Sequence, residues 1–248
     1  MKRFWGLLFL LTPLIVQARV FNIDKETAAA YFMMTGAGSQ IGTNALNGES
    51  GAGVTFSGGT NYNYSGEFGF LYSRPYASLR FGLEIFKPSL LNSAATSGGA
   101  DLYTAQSDIM GYAPKISLEV NLNRGGTYRS FIAVMAGTAS MTLKNDYVLT
   151  SAGQSAYPGV ADHSIEAKGS ATLLAATLGY EGLLTDTTTI FVEFGYRQLK
   201  FDSLKYTKDV TTFSGTKTSG DTLENAVGAP RTLDFSGGFI GLGFRFFL

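Results

Sequence analysis

Residues 190–197 read Ile-Phe-Val-Glu-Phe-Gly-Tyr-Arg, and this period-two alternation constrains the chain more than any other feature. Successive side chains of an extended strand point to opposite faces. Ile190, Val192, Phe194 and Tyr196 therefore share one face, and Glu193, Gly195 and Arg197 the other. The pattern recurs where Leu79, Phe81, Leu83 and Ile85 oppose Arg80, Gly82 and Glu84, and where Ile116, Leu118, Val120 and Leu122 oppose Ser117, Glu119 and Asn121. At the C-terminus Ile240, Leu242, Phe244, Phe246 and Leu248 oppose Gly241, Gly243, Arg245 and Phe247. Reading outward from these segments predicts strands near 30–42, 62–72, 76–87, 109–122, 128–143, 165–183, 188–201 and 232–248.

The connections between these strands sort by length. Short ones fall at Ser73-Arg74-Pro75, Asn123-Arg124-Gly125-Gly126 and Thr185-Asp186-Thr187. Long ones, rich in Gly, Ser, Thr and Asn, cover 43–61, 88–108, 144–164 and 202–231. Long and short alternate strictly, as they do in a membrane barrel with short turns at one end and long loops at the other. The expected fold class is all-β: an eight-stranded antiparallel up-and-down transmembrane β-barrel, with short periplasmic turns and long extracellular loops.

Face polarity bears on the surroundings. The polar face carries Glu67, Arg80, Glu84, Lys115, Glu119, Glu181, Glu193, Arg197 and Arg245. In a soluble barrel those charges would point to water and the aliphatics inward. In a membrane barrel they would fill a lumen just wide enough for side chains. Parity alone allows both. Loop alternation favours the membrane, as do aromatics near strand ends: Tyr62, Tyr64, Tyr72, Tyr76, Phe86, Tyr112, Tyr128, Tyr180, Tyr196 and Phe246. Strand propensity alone accounts for some of them.

The N-terminus reads as an export signal. Lys2 and Arg3 precede an apolar stretch from Phe4 to Val16, and Val16-Gln17-Ala18 gives a cleavage site. Residues 1–18 are thus expected to be a signal peptide and 19–248 the barrel domain, beginning at Arg19. Cleavage takes two from the 19 basic residues, leaving 17 against 19 acidic ones, and removes the only Trp. No remaining segment approaches the roughly 20 apolar residues of a membrane helix. Without cysteine, disulfides and zinc–thiolate sites are excluded. The near-neutral balance argues against nucleic acid as a partner.

The ending Gly243-Phe244-Arg245-Phe246-Phe247-Leu248 resembles the C-terminal signal read by the barrel-assembly machinery, with Gly243, Phe244, Phe246 and Leu248 as its elements. Leu248 stands where Phe is commonest, and Gly241 where a polar residue is usual. Signal, strand layout and ending together resemble the small eight-stranded family of outer-membrane proteins A, W and X. That resemblance implies a bacterial outer-membrane location, with outer-membrane lipids, lipopolysaccharide and the assembly machinery as partners. It points to no single member.

The interior charges are the main candidate site, either a pairing network that fills the barrel or the lining of an ion or solute path. Counting back from the turn at 73–75 predicts Glu67 opposite Arg80, within about one residue pair. His163, the only histidine, lies between Asp162 and Ser164 in the third long loop. A solvated loop histidine is expected; lipid A-modifying barrels, which use His, Ser and a carboxylate, supply the alternative. Pro114 inside a strand calls for a bulge or for a membrane segment that starts after it. Gly36-Ala37-Gly38 is strand glycine, since no helix follows. No metal or other cofactor is expected. The leading function is a non-enzymatic structural or surface-interaction barrel with a plugged lumen. A conduit for small solutes, hydrophobic ones included, and an envelope-lipid enzyme are the alternatives.

Overall fold

The computed structural model describes residues 22–23, 25–41, 54–56, 60–88, 91–225 and 228–248. The expected signal peptide at 1–18 lies outside them. Eight strands form the wall: β1 (Ala28–Ile41), β2 (Thr60–Ser73), β3 (Ala77–Phe86), β4 (Ala100–Arg124), β5 (Tyr128–Leu149), β6 (His163–Thr185), β7 (Thr188–Phe201) and β8 (Gly237–Phe247). Each pairs antiparallel with the next in sequence, and β8 returns to pair with β1, so the sheet closes on itself. Closure gives every wall strand a partner on each side, as a lipid environment demands.

The burial pattern shows which face is inside. Phe32, Phe68, Phe70, Phe81, Ile116, Leu118, Ile132, Val134, Leu178, Phe194 and Leu242 are exposed, while Glu67, Arg80, Glu84, Glu119, Glu181, Glu193, Arg197 and Arg245 are buried. That is the inverse of a soluble barrel, and it makes this a transmembrane one. Exposed tyrosines bound the belt. Tyr72, Tyr76, Tyr128 and Tyr180, with Phe246, lie toward the short turns; Tyr62, Tyr64, Tyr112 and Tyr196 lie toward the long loops. Phe86, expected among them, is instead 0% exposed. Its even number puts it in phase with Arg80 and Glu84, on the interior face of β3.

Beyond the belt the wall continues. β4, β5 and β6 have 25, 22 and 23 residues, about twice the 9–11 that a membrane strand needs. Much of the expected loops 88–108 and 144–164 is therefore strand. Residues Leu91–Ser97 fold back on the start of β4 around Gly98 and Gly99, both at positive φ. The 144–164 connection shrinks to a short helix, α1 (Ser151–Ala156), whose start is capped by the Thr150 hydroxyl accepting from the Gly153 amide at 3.1 Å. Composition alone misleads here, because Ser and Thr fit a strand face as readily as a loop.

Polarity inverts along these strands while parity does not. On β4 the outward residues run Thr104, Gln106 and Asp108, then Met110, Tyr112, Ile116, Leu118 and Val120. The inward ones run Ala105, Ile109 and Ala113, then Lys115, Ser117 and Glu119. One half is an ordinary water-facing barrel around an apolar core; the other is its inside-out continuation.

Pro114 interrupts this wall without a bulge. The β4–β5 register is the same on both sides of it, Tyr112 opposite Ser140 and Lys115 opposite Gly137, and only the pairing of 113–114 with β5 is lost. Met110 and Tyr112 are exposed apolar residues before it, so the belt does not begin after the proline either. Pro114 still faces Leu83 of β3, where no donor is missing. Gly137 allows the close approach on the other side, because a Cβ there would run into the Pro114 carbonyl.

The inversion sets a test. Leu118→Arg, on the outward face of the belt, is expected to destabilise the barrel in lipid vesicles by about 2–4 kcal/mol. Gln106→Arg, outward on the same strand, should stay within about 0.5 kcal/mol of the parent. Urea unfolding in vesicles measures both; equal effects would place the belt elsewhere.

Candidate functional site

The alternation of each strand delivers its charges to one place, the half of the lumen nearer the short turns. Arg80, Glu119, Glu181, Glu193 and Arg245 are each 0% exposed. Glu119 is the hub of a lower tier. It accepts from Arg245 Nη2 at 2.7 Å and from Arg129 Nη2 at 2.9 Å, and lies 3.3 Å from Arg80 Nη1. Glu181 accepts from Arg129 Nε at 2.6 Å and Arg245 Nη1 at 2.7 Å, while the Thr189 hydroxyl donates to its other oxygen. Glu193 takes both Arg80 amines, at 2.5 and 3.2 Å, in the two-pronged geometry that suits a guanidinium to a carboxylate. Arg129 also donates to Ser78 and Asn121 at 3.0 and 3.1 Å.

An upper tier lies toward the loops. Lys115 Nζ bridges Glu67 at 2.7 Å and Glu84 at 2.8 Å, and Arg197 Nη1 reaches Glu84 at 3.0 Å. The Tyr31 hydroxyl donates to Glu67 at 2.5 Å. Arg197 also donates to Asn63, which in turn donates to Ser39 at 3.0 Å. The tiers meet where Arg80 Nε lies 3.8 Å from Glu67. With Tyr31 counted, all eight strands contribute a side chain.

All nine charges expected inside are brought together. The expected register is not: Glu67 pairs with Glu84 and Leu71 with Arg80. Ser73 pairs with Ser78, so the turn is wider than the 73–75 count assumed and Arg80 lies four residues along the strand from Glu67's partner. Its long side chain recovers contact along the barrel axis. Arg129 escaped notice because β5 shows no contrast, with Phe131, Ala133 and Met135 inward and Ile132, Val134 and Ala136 outward. The available signal was numerical. Four cations stood against five carboxylates, and Arg129 supplies the fifth.

Above the ions the lumen is mainly apolar, with a polar cluster of Arg231, Asn145 and Ser107 buried within it. Phe86, Phe201 and Phe235 pack with centroids 5.6–6.4 Å apart, beside Leu173, Leu199, Met141 and Leu143. At the junction a cavity of about 10 Å³, lined by Met33, Glu84, Lys115, Leu173 and Arg197, has room for about one water. Charge chemistry and packing thus fill the interior in series.

His163 is not a solvated loop residue. It opens β6, stacks on Tyr147 at 5.0 Å and meets Phe213 edge-on at 4.9 Å. Its Nδ1 lies 3.0 Å from the Ala161 carbonyl. Ser164, next in the strand, points to the other face and donates to Asp146. His163 and Ser164 therefore do not converge as the lipid-modifying alternative requires, because neighbours on a strand face opposite ways. Among the described residues no group of three or more His, Asp or Glu is placed to hold a metal ion.

Glu67→Ala removes the partner of Tyr31 and half the neutralisation of Lys115, and is expected to destabilise the barrel by about 3–5 kcal/mol. Asp221 is an exposed comparison. It accepts from the Thr218 amide and hydroxyl at 2.7 and 3.0 Å, which hold its carboxyl below the usual range. Asp221→Ala should cost far less in urea unfolding; a Glu67→Ala barrel as stable as the parent would remove the network's structural role.

Scans against protein-family models and against curated proteins find no match. Among solved structures, the chain is similar to Ail, the attachment invasion locus protein of Yersinia pestis, at TM-score 0.42 and 11% identity over 90% of this chain and 99% of that one. It is similar to the outer membrane protein OprG of Pseudomonas aeruginosa at TM-score 0.44 and 16% identity, over 90% and 97%. A major outer membrane protein of Thermus thermophilus gives TM-score 0.47 and 10% identity, over 89% and 99%. At these levels the strand pairing and face polarity described above carry the reading of the fold, and the neighbours do not add to it.

Proposed function

We propose that this chain is an exported outer-membrane barrel that does not conduct, and that holds a rigid β-structured surface outside the membrane. The observation that carries the reading is the filled lumen: a charge-balanced ionic tier beneath an apolar core, joined at a cavity no larger than about one water. A selective pore would show an excess of one sign along its path. The five cations and five carboxylates of the ionic tier leave none there; Arg231, buried above them, donates to the Asn145 side chain at 3.5 Å and the Glu224 carbonyl at 3.3 Å.

The working surface is then the projecting part of β4–β6 with α1 and the hairpin Val210–Thr212 and Gly215–Lys217. Its outward side chains are mostly polar, among them Gln106, Lys144 and Asp146, as a face kept soluble for a partner would be. In this reading the short turns face the periplasm and the long connections the exterior. The Gly243–Leu248 ending engages the assembly machinery: Phe244 and Phe246 project outward from the closing strand, and Leu248 is exposed at its end.

Planar bilayers test the reading. The refolded chain is expected to give no steady conductance, only small and infrequent openings. Sustained porin-like currents that Glu84→Gln or Arg197→Gln alters in selectivity would establish a conduit in its place.

A further inference from the structure

The outer wall carries a feature that the lumen does not explain. Residues Lys205–Tyr206 form a short strand against β6, with Lys205 directly opposite Lys168 and Tyr206 opposite Ala167. Cross-strand neighbours of this kind share a face with their Cβ atoms about 5 Å apart, and like charges so placed repel. Both lysines are exposed, and among the described residues neither has a carboxylate within ion-pair distance. The nearby acids are already engaged, Glu166 with Lys144 at 3.8 Å and Asp202 with Lys200 at 2.8 Å. Asp108 lies 3.7 Å from Lys87.

This pair stands on a ridge between two hollows of the outer wall, about 910 and 870 Å³. The larger one changes chemistry along the barrel axis. Leu83, Ile85, Met110 and Tyr112 line its belt side, and Lys144, Lys168 and Lys205 its loop side together with Asp108 and Glu166. Small outward residues, Ser140, Thr142 and Ser170, make the depression. It lies where the outward face of β6 turns from Leu174, Ala176 and Leu178 to Thr172, Ser170 and Lys168, at the edge of the apolar belt.

We propose that this groove holds a phosphorylated membrane lipid of the leaflet next to the loops, with the phosphate between Lys168 and Lys205 and an acyl chain along Ile85, Met110 and Tyr112. An anion there relieves the repulsion that the strand pairing imposes, and cations at a headgroup level attract anionic lipid. The apolar floor separates a lipid from a free phosphate, which has no use for it. This inference rests on the membrane reading above.

The test uses the full barrel refolded in a neutral detergent and offered bisphosphorylated lipid A, dephosphorylated lipid A, phosphatidylcholine or inorganic pyrophosphate, with retention read by native mass spectrometry. Bisphosphorylated lipid A should be retained in preference to the other three. Lys168→Gln/Lys205→Gln should weaken that retention about tenfold, whereas Lys25→Gln, exposed near the short-turn end, should leave it unchanged. The double variant should also melt no lower than the parent in lipid-free detergent, because the like-charge contact is gone; Lys205→Gln alone serves should the double variant not refold. Retention unaffected by the substitutions, or equal for dephosphorylated lipid and phosphatidylcholine, would overturn the proposal. Pyrophosphate bound as tightly as lipid A would make the groove a free-anion site and overturn it equally. A chain that does not refold as a heat-modifiable barrel would refute the membrane reading itself, and this inference with it.

Discussion

A closed ring of eight strands leaves an interior too narrow for bulk water, and within the belt five cations and five carboxylates occupy it. Ions so far from water persist only in company, since the desolvation of each amounts to several kcal/mol unless an opposite charge and hydrogen bonds offset it. The interior meets that demand by number and by geometry. Five cations meet five carboxylates, and Glu119 and Glu181 each serve two arginines at 2.6–2.9 Å. Because the partners come from different strands, neutrality also fixes the strands against one another. The ionic tier is therefore a structural clamp, and its closure of the lumen follows from the same contacts.

The second constraint is that a single strand crosses two solvents. β4 keeps one parity over 25 residues, yet its outward face passes from Gln106 and Asp108 to Leu118 and Val120 while its inward face passes from Ile109 to Glu119. Reversal of both faces near the same level marks the edge of the apolar belt from within the protein. The apolar core about Phe86, Phe201 and Phe235 seals the lumen at the end where the ionic tier stops.

Much of this was legible in the sequence. Alternation in 79–85, 116–122, 190–197 and the C-terminal segment placed all eight strands to within a few residues at their belt ends and put nine of the ten belt charges on one face, which the loop alternation and the strand-end aromatics pointed inward. What parity does not contain is depth. It could not show that β4 begins at Ala100, because above the belt the polar residues lie on the outward face and a polar, Ser- and Thr-rich stretch looks like a loop. Nor does it contain register, which depends on turn width. Ser73 opposite Ser78 shifted Arg80 from Glu67 to Leu71. Arg129 was hidden for a third reason: both faces of β5 are apolar, so no contrast showed which side it joined.

The claim that buried charges clamp the wall through mutual neutralisation is tested most directly by a double-mutant cycle on Arg129 and Glu181, joined at 2.6 Å between adjacent strands. Arg129→Met and Glu181→Gln, separately and together, would be compared by urea unfolding in lipid vesicles. Each single change takes away one of its partner's two counter-ions and unbalances the tier by one charge, and should cost about 3–5 kcal/mol, while the pair together should cost clearly less than the sum, with a coupling of about 1–3 kcal/mol. Strictly additive losses would mean that the two residues stabilise the barrel independently, and the clamp would not exist.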